Sequence, residues 1–243
     1  GYASTAMGEG TTAIGSNSTA IGAYTQASGD TSTAMGYETL ASGYASTAMG
    51  SYTTASGDYS TAMGVSTTAR DYGSTVIGQY NSSGSTATSA DLFNTANTAF
   101  VIGNGVYGSP SDAFKVMFNG DTTVSNNLTV SGDVVVSSDA RLKANIVSLG
   151  STLSRLLLID GKTYTMKKDG KQKIGVLAQD IREVFPELVS EDDNEMLAVN
   201  YQGLVPVLIN ALKEQQSEIE ILKQQQAEIE ELKEMVNQLI SSK

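Results

Sequence analysis

Six consecutive residues near the middle of the chain, Ser138-Asp139-Ala140-Arg141-Leu142-Lys143, gather a hydroxyl, a carboxylate, a guanidinium and an ammonium in one short stretch. A serine hydroxyl is a latent nucleophile that attacks a carbonyl only when a base takes its proton. The 243-residue chain has no His and no Cys, so the commonest general base, the commonest metal ligand and all thiolate chemistry are missing. The same residues also suit a plain structural role, with Ser138 or Asp139 capping a helix and Arg141 and Lys143 solvated on its surface. Taken alone they favour that role, because a Ser and a Lys five residues apart recur by chance. On a continuous helix, moreover, a five-residue offset turns two side chains about 140° apart. Ser138 and Lys143 meet only if Ser138 ends a strand before the helix starts, or if the contact closes in an assembly of chains.

The stretch stands where the sequence changes character. Residues 1–137 carry two Lys/Arg against nine Asp/Glu and 19 of the 24 glycines, whereas residues 138–243 carry 13 against 17. A net charge of −11 argues against nucleic acid or an anionic membrane as a partner, since both require clustered Lys/Arg. No apolar run is long enough to span a bilayer and no secretory signal is present. The chain begins at Gly1 rather than Met, so sequence ahead of it is expected. No cofactor and no metal site are expected either.

The first half is a repeat. Gly recurs every seven residues from Gly1 to Gly64, gives way to Asp71, and returns at Gly78, and GYASTAMG occurs verbatim at 1–8 and 43–50. From Ala27 two kinds of heptad alternate, STAMG and ASG, which makes a fourteen-residue unit. That unit suits one coil of a β-roll, with two short strands and Gly where the chain turns at positive φ or approaches another backbone. Each coil offers one Met or Ile (Met35, Met49, Met63, Ile77) plus alanines as its apolar content. Such a roll buries little surface against roughly 1–2 kcal/mol of backbone entropy per residue, so it needs neighbours. Residues 1–78 resemble the head repeats of YadA-type trimeric adhesins, which implies a left-handed parallel β-roll in a threefold bundle and places the chain near surface adhesins that bind host matrix.

Residues 79–137 read as a β-rich stem. AFKVMFNGDTTV (113–124) alternates around Asn119-Gly120, a strong hairpin signal, and LTVSGDVVV (128–136) repeats the pattern around Ser131-Gly132-Asp133. Residues 138–243 read as α+β. STLSRLLLIDG (151–161) shows a helical stripe of Leu153, Leu156 and Leu157, TYTMKKDGKQKIGVL (163–177) a hairpin turning at Asp169-Gly170, and AQDIREVF (178–185) a short helix stopped by Pro186. MLAVNY (196–201) reads as a strand, and a long helix starts near Leu204 with Pro206 tolerated in its first turn. Between about 215 and 240, Ile219, Leu222, Ile229, Leu232, Val236 and Leu239 form a coiled-coil seam interrupted by a stammer. Ile/Val at a with Leu at d leans by itself towards a dimer. The alternative is a single amphipathic helix folded back on its domain.

SSDARLKANI, Tyr164, IGVLAQDIREVFPELV (174–189) and LAVNYQGLVPVLINALKEQQ (197–216) together resemble the C-terminal intramolecular chaperone of phage endosialidase tailspikes and related fibre proteins, over residues 137 to about 240. The resemblance implies a domain that directs trimerisation of the fibre ahead of it and then releases itself. In that family the serine of S-D-x-R-L-K is the nucleophile and the lysine its proposed partner, which here are Ser138 and Lys143. A Lys acting as base must be neutral, which requires desolvation or a nearby cation; Arg141 could serve as that cation, and Asp139 would oppose it. The expected scissile bond is Ser137-Ser138, with Ser137 leaving some ambiguity. Gln179 and Asp180 lie in a matched segment without an assigned role.

The functional expectation is a homotrimeric adhesive fibre of a phage virion tail, assembled in the host cytoplasm, that matures by a single-turnover Ser-Lys autoproteolysis and binds a host-surface receptor or polysaccharide. The alternative is a bacterial cell-surface or membrane-released trimeric protein that uses the same domain. The repeats hold no carboxylate cluster of the kind glycosidases use.

Overall fold

A computed structural model describes residues 1–82, 88–192 and 195–241, which fall into two compact units, Gly1–Val135 and Val136–Lys243. In the first unit the glycine period becomes a β-solenoid of about five turns. Strands Thr5–Met7, Thr19–Ala23, Thr33–Tyr37, Thr47–Ser51, Thr61–Val65 and Thr75–Gln79 stack in parallel, each residue opposite its equivalent fourteen positions on. Two-residue strands at Thr12–Ala13, Gln26–Ala27, Leu40–Ala41, Thr54–Ala55 and Thr68–Ala69 form the opposite sheet.

The two glycines of each coil are required for different reasons. At Gly36 the backbone has φ +126°, a region closed to side chains. At Gly29 φ is ordinary, but a Cβ would lie 2.0 Å from the carbonyl oxygen of Gly43 on the next coil. Asp71 takes a position of this second kind at the end of the stack. Its buried carboxylate accepts the backbone N–H of Thr88 at 2.7 Å and of Thr98 at 2.8 Å, closing the last coil with side-chain hydrogen bonds in place of another turn.

The core differs from the sequence reading. It is a double row of alanines, Ala20, Ala34, Ala48 and Ala62 from one sheet and Ala27, Ala41, Ala55 and Ala69 from the other, ending in Val76 and Val101. Met35, Met49, Met63 and Ile77 lie in register on the outer face of the long sheet, continued by Met7, Ile21 and Ile102. Alternation along a strand sends neighbours to opposite faces, and within the stacked coils the space between the sheets is filled by the small methyl of alanine, widening to valine only at the last coils.

The long sheet runs on through Thr98–Asn104 in parallel and then the antiparallel pair Asp112–Met117 and Thr122–Val124, to nine strands. The turn is at Asn119-Gly120, with Gly120 at φ +95°. The second hairpin expected at 128–136 is absent: no strand forms there, and Leu128, Val130, Val134, Val135 and Val136 are exposed. A strand requires partners for its backbone groups, and the chain supplies none at this point.

In the second unit, α1 (Leu153–Leu156), the hairpin Lys162–Thr165 with Gln172–Gly175, α2 (Ala178–Val184), the pair Val189–Glu191 with Leu197–Val199, and α3 (Leu204–Ser241) follow in order. The leucine helix is shorter than its pattern. It makes one turn, and Leu157 is exposed, because Leu156 and Ile159 are the residues that pack on the core of Ile181, Phe185 and Val207. Of the 38 residues of α3, only Val207 and Ala211 are buried. The seam from Ile219 to Leu239 is exposed, which removes the folded-back helix and leaves an apolar stripe facing outward.

Candidate functional site

Asp139, not Ser138, is the cap of the local helix. Its carboxylate accepts the Arg141 backbone N–H at 2.8 Å and starts a single 3-10 turn, Ala140–Leu142, after which Lys143 is extended at φ −123°. One turn of this kind, flanked by extended residues, replaces the continuous helix that would have separated the two side chains. The Lys143 Nζ therefore donates to the Ser138 Oγ at 2.7 Å within one chain. The contact does not wait for neighbouring chains. Both residues are exposed.

Arg141 is engaged elsewhere. Its guanidinium forks onto Asp139, with Nη2 donating to Oδ2 at 2.7 Å and Nε to Oδ1 at 3.1 Å. This partner and the Arg141 backbone N–H hold the Asp139 carboxyl below the usual aspartate range, while the Arg141 pKa is raised by the same bond. The two charges largely cancel each other, so Arg141 is poorly placed to act on Lys143 as an uncompensated cation, and Asp139 as an uncompensated anion. Asp180 is paired with Lys162 at 3.7 Å, and Gln179 lines a cavity with Tyr164, Leu177 and Tyr201; the bond between Ser138 and Lys143 draws on neither. Among the described residues no group of His, Cys, Asp and Glu could hold a metal ion.

Glu214 is the residue that sequence patterning missed. From α3 it accepts the Ser151 hydroxyl at 2.6 Å and the backbone N–H groups of Thr152 and Leu153, so a carboxylate 62 positions away from Thr152 caps α1. These bonds, led by Ser151, hold its carboxyl below the usual glutamate range. Thr152 is buried and donates to the Val207 carbonyl at 3.0 Å. Arg155 lies over the Phe185 ring, 4.1 Å from its centroid, and donates to the Val184 carbonyl. Together these contacts fasten α1 and the residues just before it to the long helix and to the end of α2. No local sequence signal marks the Glu214 cap, because its partners are remote in the chain.

This geometry accompanies two family matches. Residues 138–190 match the model of the chaperone of endosialidase, and residues 1–25, 27–53 and 55–81 match that of the YadA head domain repeat. A region matching the chaperone of endosialidase thus follows repeats matching the YadA head, in the order that the two sequence resemblances imply. The first match begins at Ser138 itself. Among curated proteins, the long tail fiber protein Gp37 of Escherichia phage AR1 is 38% identical over 92 residues, covering 34% of this chain and 8% of that protein. The Gp37 proteins of Enterobacteria phages Ox2 and M1 are each 30% identical over 123 residues, covering 46% of this chain and 49% of theirs. The chain thus spans half or less of the length of these relatives. No helix among the described residues is long and apolar enough to cross a membrane.

Proposed function

We propose that the chain is part of a homotrimeric phage tail fibre whose C-terminal region sets the register of three chains and then releases itself by one cleavage between Ser137 and Ser138. The observation that carries the reading is the 2.7 Å contact between the Lys143 Nζ and the Ser138 Oγ, at the residue where the chaperone match begins. In the cleavage step the Ser138 Oγ attacks the carbonyl carbon of Ser137 while its proton passes to a neutral Lys143 amine. The Ser138 nitrogen leaves with that proton, so the Ser137 acyl group is now an ester on Oγ. Water hydrolyses the ester, giving a carboxylate at Ser137 and a new amino terminus at Ser138.

The lysine must lose its proton before it can accept one, and in the single chain it is open to water. Removal of that water by neighbouring chains favours the neutral amine. Assembly therefore controls the base rather than the contact, and cleavage follows correct folding. Support for the trimer comes from the two families and from three apolar features that one chain leaves uncovered: the Met/Ile stripe, the strandless valines at 134–136 and the α3 seam. Loss of the register-setting region after assembly would make unfolding irreversible and stability kinetic.

A denaturing gel with intact mass, wild type beside Ser138→Ala, tests the reading. Wild type should yield a piece matching residues 138–243 and the variant should stay whole. If both stay whole, self-cleavage at this junction is excluded.

A further inference from the structure

Two rows of tyrosines climb the corners of the solenoid. Tyr24, Tyr37 and Tyr52 follow one another at one corner with ring centroids 6.1 and 5.4 Å apart and planes near perpendicular. Tyr44, Tyr59 and Tyr72 form the second row, with spacings of 5.4 and 5.2 Å. The residues of the first row are about half exposed, at 51%, 41% and 51%, as are Tyr44 and Tyr59 of the second. The fold does not need these rings. Tyr24 and Tyr52 sit at left-handed corner positions, φ 55° and 57°, and one coil on from Tyr24 the same position is filled by Glu38 at φ 49°, and one coil on from Tyr52 by Ser66 at φ 51°. Bulky residues at positive φ are costly, so aromatic rings that pack there chiefly on one another and stay half exposed call for a further reason.

We propose that the Tyr24, Tyr37 and Tyr52 row is a docking track for an extended, uncharged polysaccharide. As the receptor contact of a fibre, it rests on the reading above. Successive coils rise by the strand spacing of about 4.8 Å and the ring centroids lie 6.1 and 5.4 Å apart, the scale of one pyranose in an extended glycan, so successive sugars of a straight chain meet successive rings. About half of each residue's surface is open to the apolar faces of sugars, and tyrosine gives contact area at small entropic cost. Polar groups border the track. The Tyr24 hydroxyl donates to Glu9 at 2.6 Å, and Glu38 fills the corner position between those of Tyr24 and Tyr52, so carboxylates stand ready to accept sugar hydroxyls. The acidic excess of residues 1–137 repels an anionic polymer.

Calorimetric titration of the full chain with cellohexaose and chitohexaose, beside maltohexaose and a hyaluronan hexasaccharide, tests this. An extended neutral hexaose should bind, more tightly than helical maltohexaose, and hyaluronan should not. Tyr37→Ala and Tyr52→Ala should each weaken binding about tenfold, the cost of losing one packed tyrosine anchor, while Tyr44→Ala in the other row leaves it unchanged. Failure of both extended hexaoses to bind, or wild-type affinity in Tyr37→Ala and Tyr52→Ala, overturns the proposal. So does a change of sedimentation mass in those variants, which would make the row a contact between chains. Fragment release on a gel, followed in the same samples, reports the fibre reading separately, so each failure is distinguishable from the other.

Discussion

Lys143→Ala and Lys143→Arg distinguish a base from a simple hydrogen-bond donor. Arginine keeps the positive charge and the donor but cannot give up its proton in a protein, so both variants should slow fragment release by about 10²–10⁴-fold if the amine acts as base. Time courses on denaturing gels check this, and wild-type release by Lys143→Arg would mean that donation alone suffices. Glu214 gives a pH dependence of known sign. Its carboxyl is depressed in the folded state, so its contribution is complete above the ordinary glutamate value of 4.5 and is lost as pH falls through the lower folded value. Urea midpoints of the released C-terminal piece at neutral and acid pH should differ less in Glu214→Gln than in wild type, because the amide cannot titrate.

The elements of the solenoid are fixed by repeated steric demands. Gly36→Ala places a Cβ 2.0 Å from the Gly50 oxygen in a conformation that side chains rarely adopt, and Gly29→Ala meets the Gly43 oxygen equally closely with ordinary φ. Both should destabilise the roll by roughly 2–5 kcal/mol, the combined scale of backbone strain and overpacking, read from thermal unfolding. Ser66→Gly, at a corner already left-handed, should be neutral or mildly stabilising by comparison. The C-terminal elements depend on different forces: α1 is a single turn that would not persist alone, and it is held by the Glu214 cap and by Leu156 packing on α2 and α3.

At the scale of the whole molecule, the decisive surfaces are those that a single chain leaves open. Met49 is exposed in the outer stripe, in register with Met35 and Met63. Met49→Glu should leave the β-sheet circular dichroism of the roll intact, since the alanine core is untouched, while lowering the sedimentation mass from trimer towards monomer. A carboxylate forced into an apolar interface costs about 1–3 kcal/mol or more in each copy. If the trimer persists unchanged, the stripe is not the contact between chains. Loss of assembly should also slow release at Ser138, because the water around Lys143 is then not displaced.

The sequence by itself determined the fourteen-residue coil, the hairpin at Asn119-Gly120, the start of the long helix at Leu204 and the residue types at the Ser138 turn. Each of these rests on a local demand: positive φ, close backbone approach, a turn residue, or a proline that only a first helical turn accepts. It did not determine which face of the long strands is inside. Alternation tells which residues share a face, and the small distance between the two sheets then selected Ala over Met for the interior. Nor did it determine whether Ser138 and Lys143 meet, since a five-residue offset fits both a helix that parts them and a single capped turn that joins them. Tertiary structure decided that by ending the helix after Leu142 and leaving Lys143 extended. It also decided the clamp of Glu214 on Ser151 and Thr152, which brings together residues too far apart in the chain for any periodicity to connect.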